Sequence, residues 1–280
     1  MKQADLPLNR PAAVVVFSGG QDSTTCLFWA LHHGYRVFPV TFEYGQLHAA
    51  EVKAAEAVLR VARACYNKTA DIGIEAHEVI RLGPSVLRST SPLVSGVGLE
   101  EYNDAHSLPG KGIEKTFVPM RNQLFLTIAA NRAAHYGAKA LVTGVCEADY
   151  GGYPDCRQKF ITALGQACNL GTFTGEPGAP QPITILAPLM RLTKAQSVLM
   201  ALELPGCYAA LAWSHTAYDG KYPPTGKDHA SLLRAKGFED ANVPDPLVLR
   251  AWNEGRMHLP KTPNYKEVNV VDYLEKAHLI

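Results

Sequence analysis

The chain has 280 residues, 47% of them hydrophobic, and a formal net charge of +1. This length allows a substantial buried core, and the balanced charge argues against intrinsic disorder and against direct nucleic-acid binding over a broad basic surface. No run of about 18 apolar residues predicts a membrane span, and the N-terminus lacks the apolar stretch of a secretion signal. The six scattered cysteines form no CxxC pair, which favours free thiols and a cytoplasmic location.

The first 204 residues alternate between strand and helix signals. Short apolar runs predict strands at residues 12–17, 36–42, 76–81, 139–144 and 183–187. Apolar residues at helical spacing predict helices at residues 24–33, 48–64, 123–136, 157–168 and 194–202. The alternation predicts an α/β fold, with a parallel sheet flanked by crossover helices. Ligands of such sheets bind at the carboxyl ends of the strands.

Two regions depart from this alternation. Residues 83–115 have little periodicity, and a loop of this length in a compact domain is typically functional or mobile. We interpret it as a segment that closes over the site and excludes water. Residues 205–280 are rich in Pro, Gly and aromatic side chains. We predict a domain at 1–204 and a mainly irregular or helical C-terminal appendage at 205–280, with a short helix at 268–277.

The sequence FSGGQDSTTCL, residues 17–27, follows the first predicted strand and leads into a helix. Paired glycines let the backbone approach an anion, and the amides and dipole of a helix N-terminus favour phosphate. The hydroxyls of Ser18 and Ser23 add donors, and Asp22 is a candidate ligand for Mg²⁺. No lysine follows the glycines, which excludes the GxxxxGK[ST] motif. The loop resembles that of the PP-loop ATP pyrophosphatases, whereas an ordinary Gly-Gly turn is the alternative.

Three further positions carry candidate binding groups. After the second strand, the backbone at Thr41 and the ring of Tyr44 suit an adenine, although a turn with a half-buried aromatic is the alternative. Arg121 lies near a predicted helix N-terminus, where a cation is unfavourable without an anionic partner, and an exposed surface arginine stays open. Asn122 is the predicted cap of that helix. Lys194 begins another helix, where it either neutralises a leaving pyrophosphate or is simply solvated.

The loop after the fourth strand, residues 143–157, is dense in carboxylates and rings. Glu147, Asp149 and Asp155 are suited to bind the NH groups of a purine-like heterocycle, and Tyr150 and Tyr153 to stack on it. This composition predicts a pocket for a planar, nitrogen-rich ligand.

One resemblance unites six segments: VVVFSGGQDSTTCL (14–27), TFEYGQLHAAE (41–51), TFVPMRNQLFL (116–126), TGVCEADYGGYPDCRQKFI (143–161), PLMRLTKAQ (188–196) and LLRAKGF (232–238). Together they resemble the 7-cyano-7-deazaguanine synthases, the preQ0-forming enzymes of queuosine biosynthesis. The resemblance implies a PP-loop, HUP-type and Rossmann-like fold. It also implies an ATP- and Mg²⁺-dependent ligase that converts 7-carboxy-7-deazaguanine and ammonia to preQ0 through acyl-adenylate and amide intermediates, releasing AMP and pyrophosphate.

The resemblance also assigns residues to the site. The catalytic residues it implies are Asp22, Ser23, Arg121 and Lys194, and Asp22 holds the metal through ATP. The ATP-binding residues are Phe17, Ser18, Gly19, Gly20, Gln21, Asp22, Ser23, Thr24, Thr25, Cys26, Leu27, Thr41 and Tyr44. The substrate-binding residues are Arg121, Asn122, Glu147, Asp149, Tyr150, Tyr153, Asp155 and Arg157.

The chain departs from the family at a C-terminal zinc knuckle. The positions of the four family cysteines hold Ala217, Thr225, Asp228 and Ser231, so we expect no bound zinc. A metal role for His215, Asp228 and His229 stays open. Without zinc, we expect the tail after residue 238 to hold this lobe by hydrophobic packing. A further departure is Met120, which stands where the family has glycine.

Loss of the knuckle leaves two alternatives open. The first is a diverged homologue that stops at the amide, or that transfers the adenylated deazaguanine to a protein or DNA amine in a modification or defence pathway. A catalytically silent, nucleotide-binding partner protein is the second alternative. The resemblance is also compatible with a homodimer.

Overall fold

The computed structural model describes residues 10–44, 50–66, 73–83, 85–95, 100–103, 112–147, 152–172, 175–218, 220–266 and 270–279. Its sheet has five strands, β1 (Ala12–Val16), β2 (Arg36–Glu43), β3 (Glu78–Arg81), β4 (Ala140–Val142) and β5 (Thr184–Leu186). The strands lie in the order β3-β2-β1-β4-β5, and each neighbouring pair is parallel. The predicted α/β fold is therefore confirmed.

Helices connect the strands and continue after the last one. Those that alternate with the strands are α1 (Gln21–His32), α2 (Ala50–Tyr66), α3 (Pro92–Ser95), α4 (Arg121–Tyr136) and α5 (Gln158–Thr172). Those that follow β5 are α6 (Lys194–Glu203), α7 (Cys207–Leu211), α8 (His229–Asp240), α9 (Pro246–Asn253), α10 (Pro263–Lys266) and α11 (Val270–Lys276). None of the helices in the described ranges is long and apolar enough to cross a membrane.

Two helices begin earlier than the sequence predicted. Helix α1 begins at Gln21 rather than Thr24, because Gly20 adopts the extended conformation of an N-cap (φ −79°, ψ 173°) directly before it. Helix α4 begins at Arg121 rather than Gln123, and its N-cap is Met120, in the left-handed region at φ 65°. The prediction that Asn122 caps this helix is wrong, since Asn122 is its second residue.

The sheet separates two hydrophobic clusters. Alternate residues of β1 point to opposite faces, so Val15 joins one cluster and Val14 the other. The cluster around Val15 includes side chains of α1, α2, α6 and α7, and also Phe238, Val243 and Ala277 from the C-terminal region. The cluster around Val14 includes side chains of α4 and α5. The C-terminal helices thus complete the core on one face of the sheet, while a domain boundary at residue 204 stays a prediction.

Candidate active site

A cavity of about 400 Å³ lies where the carboxyl ends of β1 and β4 meet. Strand β2 pairs with one edge of β1, and β4 pairs with the other edge, so the strand order reverses direction at β1. This reversal of strand order is the usual ligand position in an open parallel sheet. The cavity wall comes from the loop after β1, the start of α4, the loop after β4, the start of α6 and the chain around residues 215–218.

The loop after β1 wraps around the N-terminus of α1. Gly19 has φ +82°, and a Cβ atom there would lie 2.5 Å from the backbone nitrogen of Ala55 in α2, so only glycine fits. The hydroxyl of Ser23 closes the loop, since it accepts from the backbone amide of Ser18 at 3.2 Å and donates to the carbonyl of Gly20 at 3.2 Å. The loop is thereby held in one shape at the mouth of the helix.

Several polar atoms of this loop have no partner in the described part of the chain. No side chain caps α1 at Gly20. The buried atoms Gln21 Nε2, Asp22 Oδ1 and Thr24 Oγ1 lack a hydrogen-bond partner among the described residues. Unpaired buried polar atoms each cost about 1–3 kcal/mol, which indicates that a ligand completes those of Gln21 and Asp22, the two residues of this set that line the cavity. A helix N-terminus with an amide donor and a carboxylate oxygen fits a phosphate chain and its divalent cation.

An ion pair crosses the cavity wall between α1 and α6. The Nζ atom of Lys194 lies 2.6 Å from Oδ2 of Asp22, and both side chains are mostly buried. Lys194 is the first residue of α6, which begins with a capping box between Thr193 and Gln196. The sequence analysis identified both members of the ion pair but missed their contact. The pair places a cation beside the phosphate loop while leaving the second oxygen of Asp22 available.

Arg121 contributes a second cation to the same cavity. Its side chain is half-buried, and Nη1 donates to the hydroxyl of Tyr44 at 3.3 Å. Within the described residues, no carboxylate oxygen lies within 4.0 Å of its guanidinium. Arg121 is therefore not an exposed surface residue, and its position at the start of α4 suits an anionic ligand.

Tyr153 lies on the cavity wall near Arg121, and a chain of hydrogen bonds through Thr116 to Glu114 holds its hydroxyl. Its hydroxyl is 2.6 Å from Oγ1 of Thr116, which in turn donates to the buried carboxylate of Glu114 at 2.6 Å. Burial raises the pKa of Tyr153 and of Tyr44, against the opposing charge of Arg121. Both hydroxyls therefore stay neutral near pH 7. The proton of Tyr153 is donated to Thr116, so its hydroxyl oxygen can accept a hydrogen bond from a ligand.

The predicted substrate residues divide between the wall and its support. Asn122, Glu147 and Arg157 line the cavity alongside Tyr153. Asp155 does not, and its Oδ2 instead accepts from the backbone amide of Asn122 at 3.4 Å, which caps α4. Burial raises the pKa of Asp155, while Arg121 and the bonds from Asn122 oppose that rise.

Asp149 and Tyr150, the other two predicted substrate residues, lie outside the described residues.

The predicted ATP residues divide in the same way. Those on the cavity wall are Phe17, Ser18, Gly20, Gln21, Asp22, Ser23 and Tyr44. Those that are buried and absent from the wall are Gly19, Thr24, Thr25, Cys26, Leu27 and Thr41. The side chains of Cys26 and Leu27 pack in the hydrophobic core, because they face the sheet from the first turns of α1. Their role in ATP binding stays a prediction.

An aromatic wall and a C-terminal wall of the cavity were not predicted from the sequence. Phe42 of β2 stacks on Phe125 of α4 with ring centroids 4.3 Å apart, and both line the cavity. The apolar spacing of α4 was the available signal for Phe125. From the C-terminal region, His215, Tyr218 and His229 also line the cavity, and no local sequence signal links them to it.

The four knuckle positions do not fit zinc. None is a cysteine, and the carboxylate of Asp228 accepts from the amide of Ser231 at 3.0 Å and from its hydroxyl at 2.6 Å. Asp228 is thereby the N-cap of α8. Across the described residues, no three His, Cys, Asp or Glu side chains converge as metal ligands, His215 and His229 included. In the part of the chain that the structure describes, which includes all six cysteines, no disulfide forms.

The parallel sheet, the SGGQDS loop and the cavity at the start of α1 define a PP-loop ATP pyrophosphatase-like protein. The sequence model of the family described as "Queuosine biosynthesis protein QueC" matches residues 12–242, so the chain belongs to that family.

Two curated relatives agree with this assignment. The 7-cyano-7-deazaguanine synthase of Gloeobacter violaceus is 48% identical over 237 residues, covering 84% of this chain and 94% of the relative. The protein of the same name from Chromobacterium violaceum is 40% identical over 254 residues, covering 87% of this chain and 96% of the relative.

A more distant match is a solved structure of a 4-thiouridine synthetase–RNA complex with bound ATP. It has a TM-score of 0.44 and 18% identity, covering 82% of this chain and 51% of that one. The family assignment depends on the sequence matches alone.

Proposed function

We propose that this protein is an ATP-dependent ligase that converts 7-carboxy-7-deazaguanine and ammonia to 7-cyano-7-deazaguanine. The observation that carries the proposal is the cavity itself, which combines a helix N-terminus, the Lys194–Asp22 pair and Arg121 in a chain of the QueC family. These groups suit a reaction between a phosphate chain and a carboxylate.

The first half of the reaction replaces a poor leaving group. A carboxylate oxygen of the substrate attacks the α-phosphorus of ATP, and the bond to the β-phosphate breaks to release pyrophosphate. Ammonia then attacks the acyl carbon, and AMP leaves with the former carboxylate oxygen. The nitrogen loses a proton, and the product is the amide. Adenylation is needed because oxide cannot leave a carboxylate at neutral pH.

The second half repeats the activation on the amide. The amide oxygen attacks the α-phosphorus of a second ATP and releases a second pyrophosphate. Departure of AMP with that oxygen, together with loss of both protons from nitrogen, leaves the nitrile. The reaction therefore consumes two ATP molecules for each nitrile formed, and both substrate oxygens end in AMP.

The residues of the phosphate loop take the ATP. The amides and hydroxyls of residues 18–23 bind the β and γ phosphates, and the ring of Tyr44 lies beside the adenine. Lys194 balances the charge that develops on the departing pyrophosphate. Mg²⁺ bound with ATP neutralises phosphate charge when present, and the unpaired Oδ1 of Asp22 is the oxygen suited to hold it.

Recognition of the base falls to the opposite wall. Arg121 pairs with the substrate carboxylate and turns it toward the α-phosphorus. Tyr153, Asn122 and Glu147 supply donors and acceptors around the heterocycle, with Arg157 at the rim. Asp155 acts indirectly, because its carboxylate fixes the start of α4 and therefore Arg121. Water is excluded by the aromatic wall and by Leu93 of α3, which also lines the cavity. Residues 84, 96–99 and 104–111 of the predicted closing segment 83–115 lie outside the described residues.

The remaining partners follow from this chemistry. The proposal needs three small-molecule substrates, ATP, ammonia and 7-carboxy-7-deazaguanine, and it assigns the enzyme to the cytoplasm without direct contact to nucleic acid or membrane. It is compatible with a homodimer. Zinc has no part in the proposal, since the knuckle positions do not fit it.

The test is an assay of products by mass. Purified protein receives ATP, Mg²⁺, ammonium and 7-carboxy-7-deazaguanine, and AMP, amide and nitrile are quantified. We expect nitrile with two AMP. Amide with one AMP contradicts the full synthase and supports an amide-forming homologue or a transfer to another amine. No AMP contradicts any ligase and supports a silent nucleotide-binding protein.

A pair of matched variants ties that activity to the site. Asp22→Asn should lower AMP formation about 100-fold, because it removes the charge that suits the metal and Lys194. Asp272→Asn, an exposed change in α11, should leave it unchanged. Equal activities of the two variants would contradict the proposed site.

A further inference from the structure

A single arginine in α8 connects the C-terminal helices to the chain beside the phosphate loop. Arg234 is 3% exposed, and its guanidinium makes a bidentate ion pair with Asp245 at 2.6 and 2.8 Å. The same group donates to Ser214 Oγ at 2.8 Å, Thr216 Oγ1 at 3.0 Å and the carbonyl of Leu211 at 3.1 Å. These five hydrogen bonds thus connect two parts of the chain, the region after residue 242 that contains Asp245 and the segment 211–216.

The segment 211–216 lies directly against the phosphate loop. The backbone amide of His215 donates to the carbonyl of Gly19 at 2.9 Å. A Cβ atom on Gly20 would lie 3.3 Å from the carbonyl oxygen of His215, which shows how closely the two backbones approach. On its other side, Gly19 meets Ala55 of α2. The loop is therefore clamped between α2 and this segment, and His215 and Thr216 also line the cavity.

Asp245 is itself held in place. The backbone amide of Asp245 donates to the hydroxyl of Tyr265 at 3.1 Å. The Oδ1 atom of Asp245 accepts from the amide of Leu247 at 2.9 Å, which caps α9. Asp245 lies three residues beyond the stretch 12–242 that the family sequence model matches. The charge that orients Arg234 therefore comes from a part of the chain outside the family match.

We infer that Arg234 and Asp245 are positioning residues for ATP binding. The extension after residue 242 sets the guanidinium, the guanidinium sets the segment 211–216, and that segment sets Gly19 of the phosphate loop. The C-terminal helices thus keep their position through a buried ion pair, whereas the four knuckle positions in the same region do not fit zinc. This inference rests on the proposed use of ATP and adds to it the groups that hold the phosphate loop in its binding shape.

The alternative is that the buried ion pair only stabilises the fold, as breaking such pairs commonly destabilises proteins. The two roles differ in selectivity. A purely structural pair affects folding but not the affinity of the folded protein for one particular substrate. A positioning pair affects ATP more than the base, because Gly19 belongs to the phosphate loop and the predicted base-binding groups belong to α4 and the loop after β4.

The experiment compares Asp245→Asn with Asp240→Asn, an exposed carboxylate paired with Lys236 at the end of α8. Binding of α,β-methylene-ATP with Mg²⁺ and of 7-carboxy-7-deazaguanine is measured by calorimetry, below the melting temperature of each variant. We expect Asp245→Asn to weaken nucleotide binding about tenfold, or ~1.4 kcal/mol, with base binding within about twofold of wild type. Asp240→Asn should change neither.

The contrary result is a folded Asp245→Asn protein that melts at lower temperature yet binds the nucleotide within about twofold of wild type. That outcome overturns the positioning role and leaves the proposed function intact. Wild-type protein that does not bind the nucleotide overturns the proposed function as well.

If Asp245→Asn fails to fold, Ser214→Ala decides the question. It removes one acceptor of Arg234 and keeps the ion pair. We expect Ser214→Ala to bind the nucleotide about threefold more weakly than wild type and the base with unchanged affinity. Wild-type affinity of this variant for both ligands overturns the inference.

Discussion

Gly237 sets the position of Lys194, and its replacement by alanine gives a sharp test of the site. Gly237 lies in α8, and a Cβ atom built there would be 2.7 Å from Cβ of Lys194 and 3.3 Å from its carbonyl carbon. Nonbonded carbon atoms prefer separations of about 3.5–4.0 Å. Helices α6 and α8 therefore have to separate by roughly 1 Å to accept the methyl group.

The displacement acts on stability and on catalysis to different degrees. Overpacking costs about 1–3 kcal/mol, and alanine returns about 1 kcal/mol of helix propensity, so the net loss of stability is about 0–2 kcal/mol. Lys194 begins α6 and reaches Asp22 at 2.6 Å, and a shift of roughly 1 Å breaks that hydrogen bond. Misplacement by about 1 Å near a reacting centre lowers rates up to about 100-fold.

The assay is steady-state AMP release, together with a urea denaturation curve for each variant. We expect Gly237→Ala to lower kcat about ten- to a hundredfold while the protein stays folded. Gly171→Ala, a helical glycine of α5 with open space around it, is the matched control and should be active and equally or more stable. Wild-type kcat in a folded Gly237→Ala protein would refute the role given to Lys194.

Three further predictions concern backbone strain, the base pocket and the tail. Met120→Gly should stabilise the protein by about 1 kcal/mol in urea denaturation, because φ 65° strains any side chain, and a loss of stability would contradict this. Thr116→Val removes the hydroxyl between Glu114 and Tyr153, so KM for the base should rise about tenfold with KM for ATP unchanged. Equal changes in both KM values would argue against it. Deletion of all residues after Asp240 should unfold or aggregate the protein, since Val243 and Ala277 belong to the main core. A soluble truncation with the wild-type melting temperature would defeat that expectation.

The sheet and its helices were predictable because strand and helix periodicities are local properties of the chain. The starts of α1 and α4 were not, because they depend on single backbone conformations. Gly20 takes an extended cap conformation, and Met120 adopts a left-handed one that methionine rarely populates. The contact between Lys194 and Asp22 joins residues far apart in sequence, and no local pattern encodes it.

The C-terminal region also combines features that local sequence encodes with features that depend on contacts between distant residues. Its composition suggested mainly irregular or helical structure, with only the last helix placed. Helix α9 was not predicted, although Asp245 as N-cap and Pro246 as first residue are a strong start signal that is present in the sequence. The role of Arg234 was beyond sequence reasoning, because its four partner residues come from two separate stretches of chain, the segment 211–216 and Asp245. The candidate site was thus predictable in its phosphate loop and only partly in the groups that support it.

The central claim is that ATP places AMP on the carboxylate oxygen of the substrate, and isotope transfer tests it most directly. The substrate is labelled with ¹⁸O at both carboxylate oxygens, and the products are weighed by mass spectrometry. The account predicts unlabelled pyrophosphate, a nitrile without label and two AMP molecules that each carry one ¹⁸O. Unlabelled AMP, or release of ADP and phosphate, would contradict it.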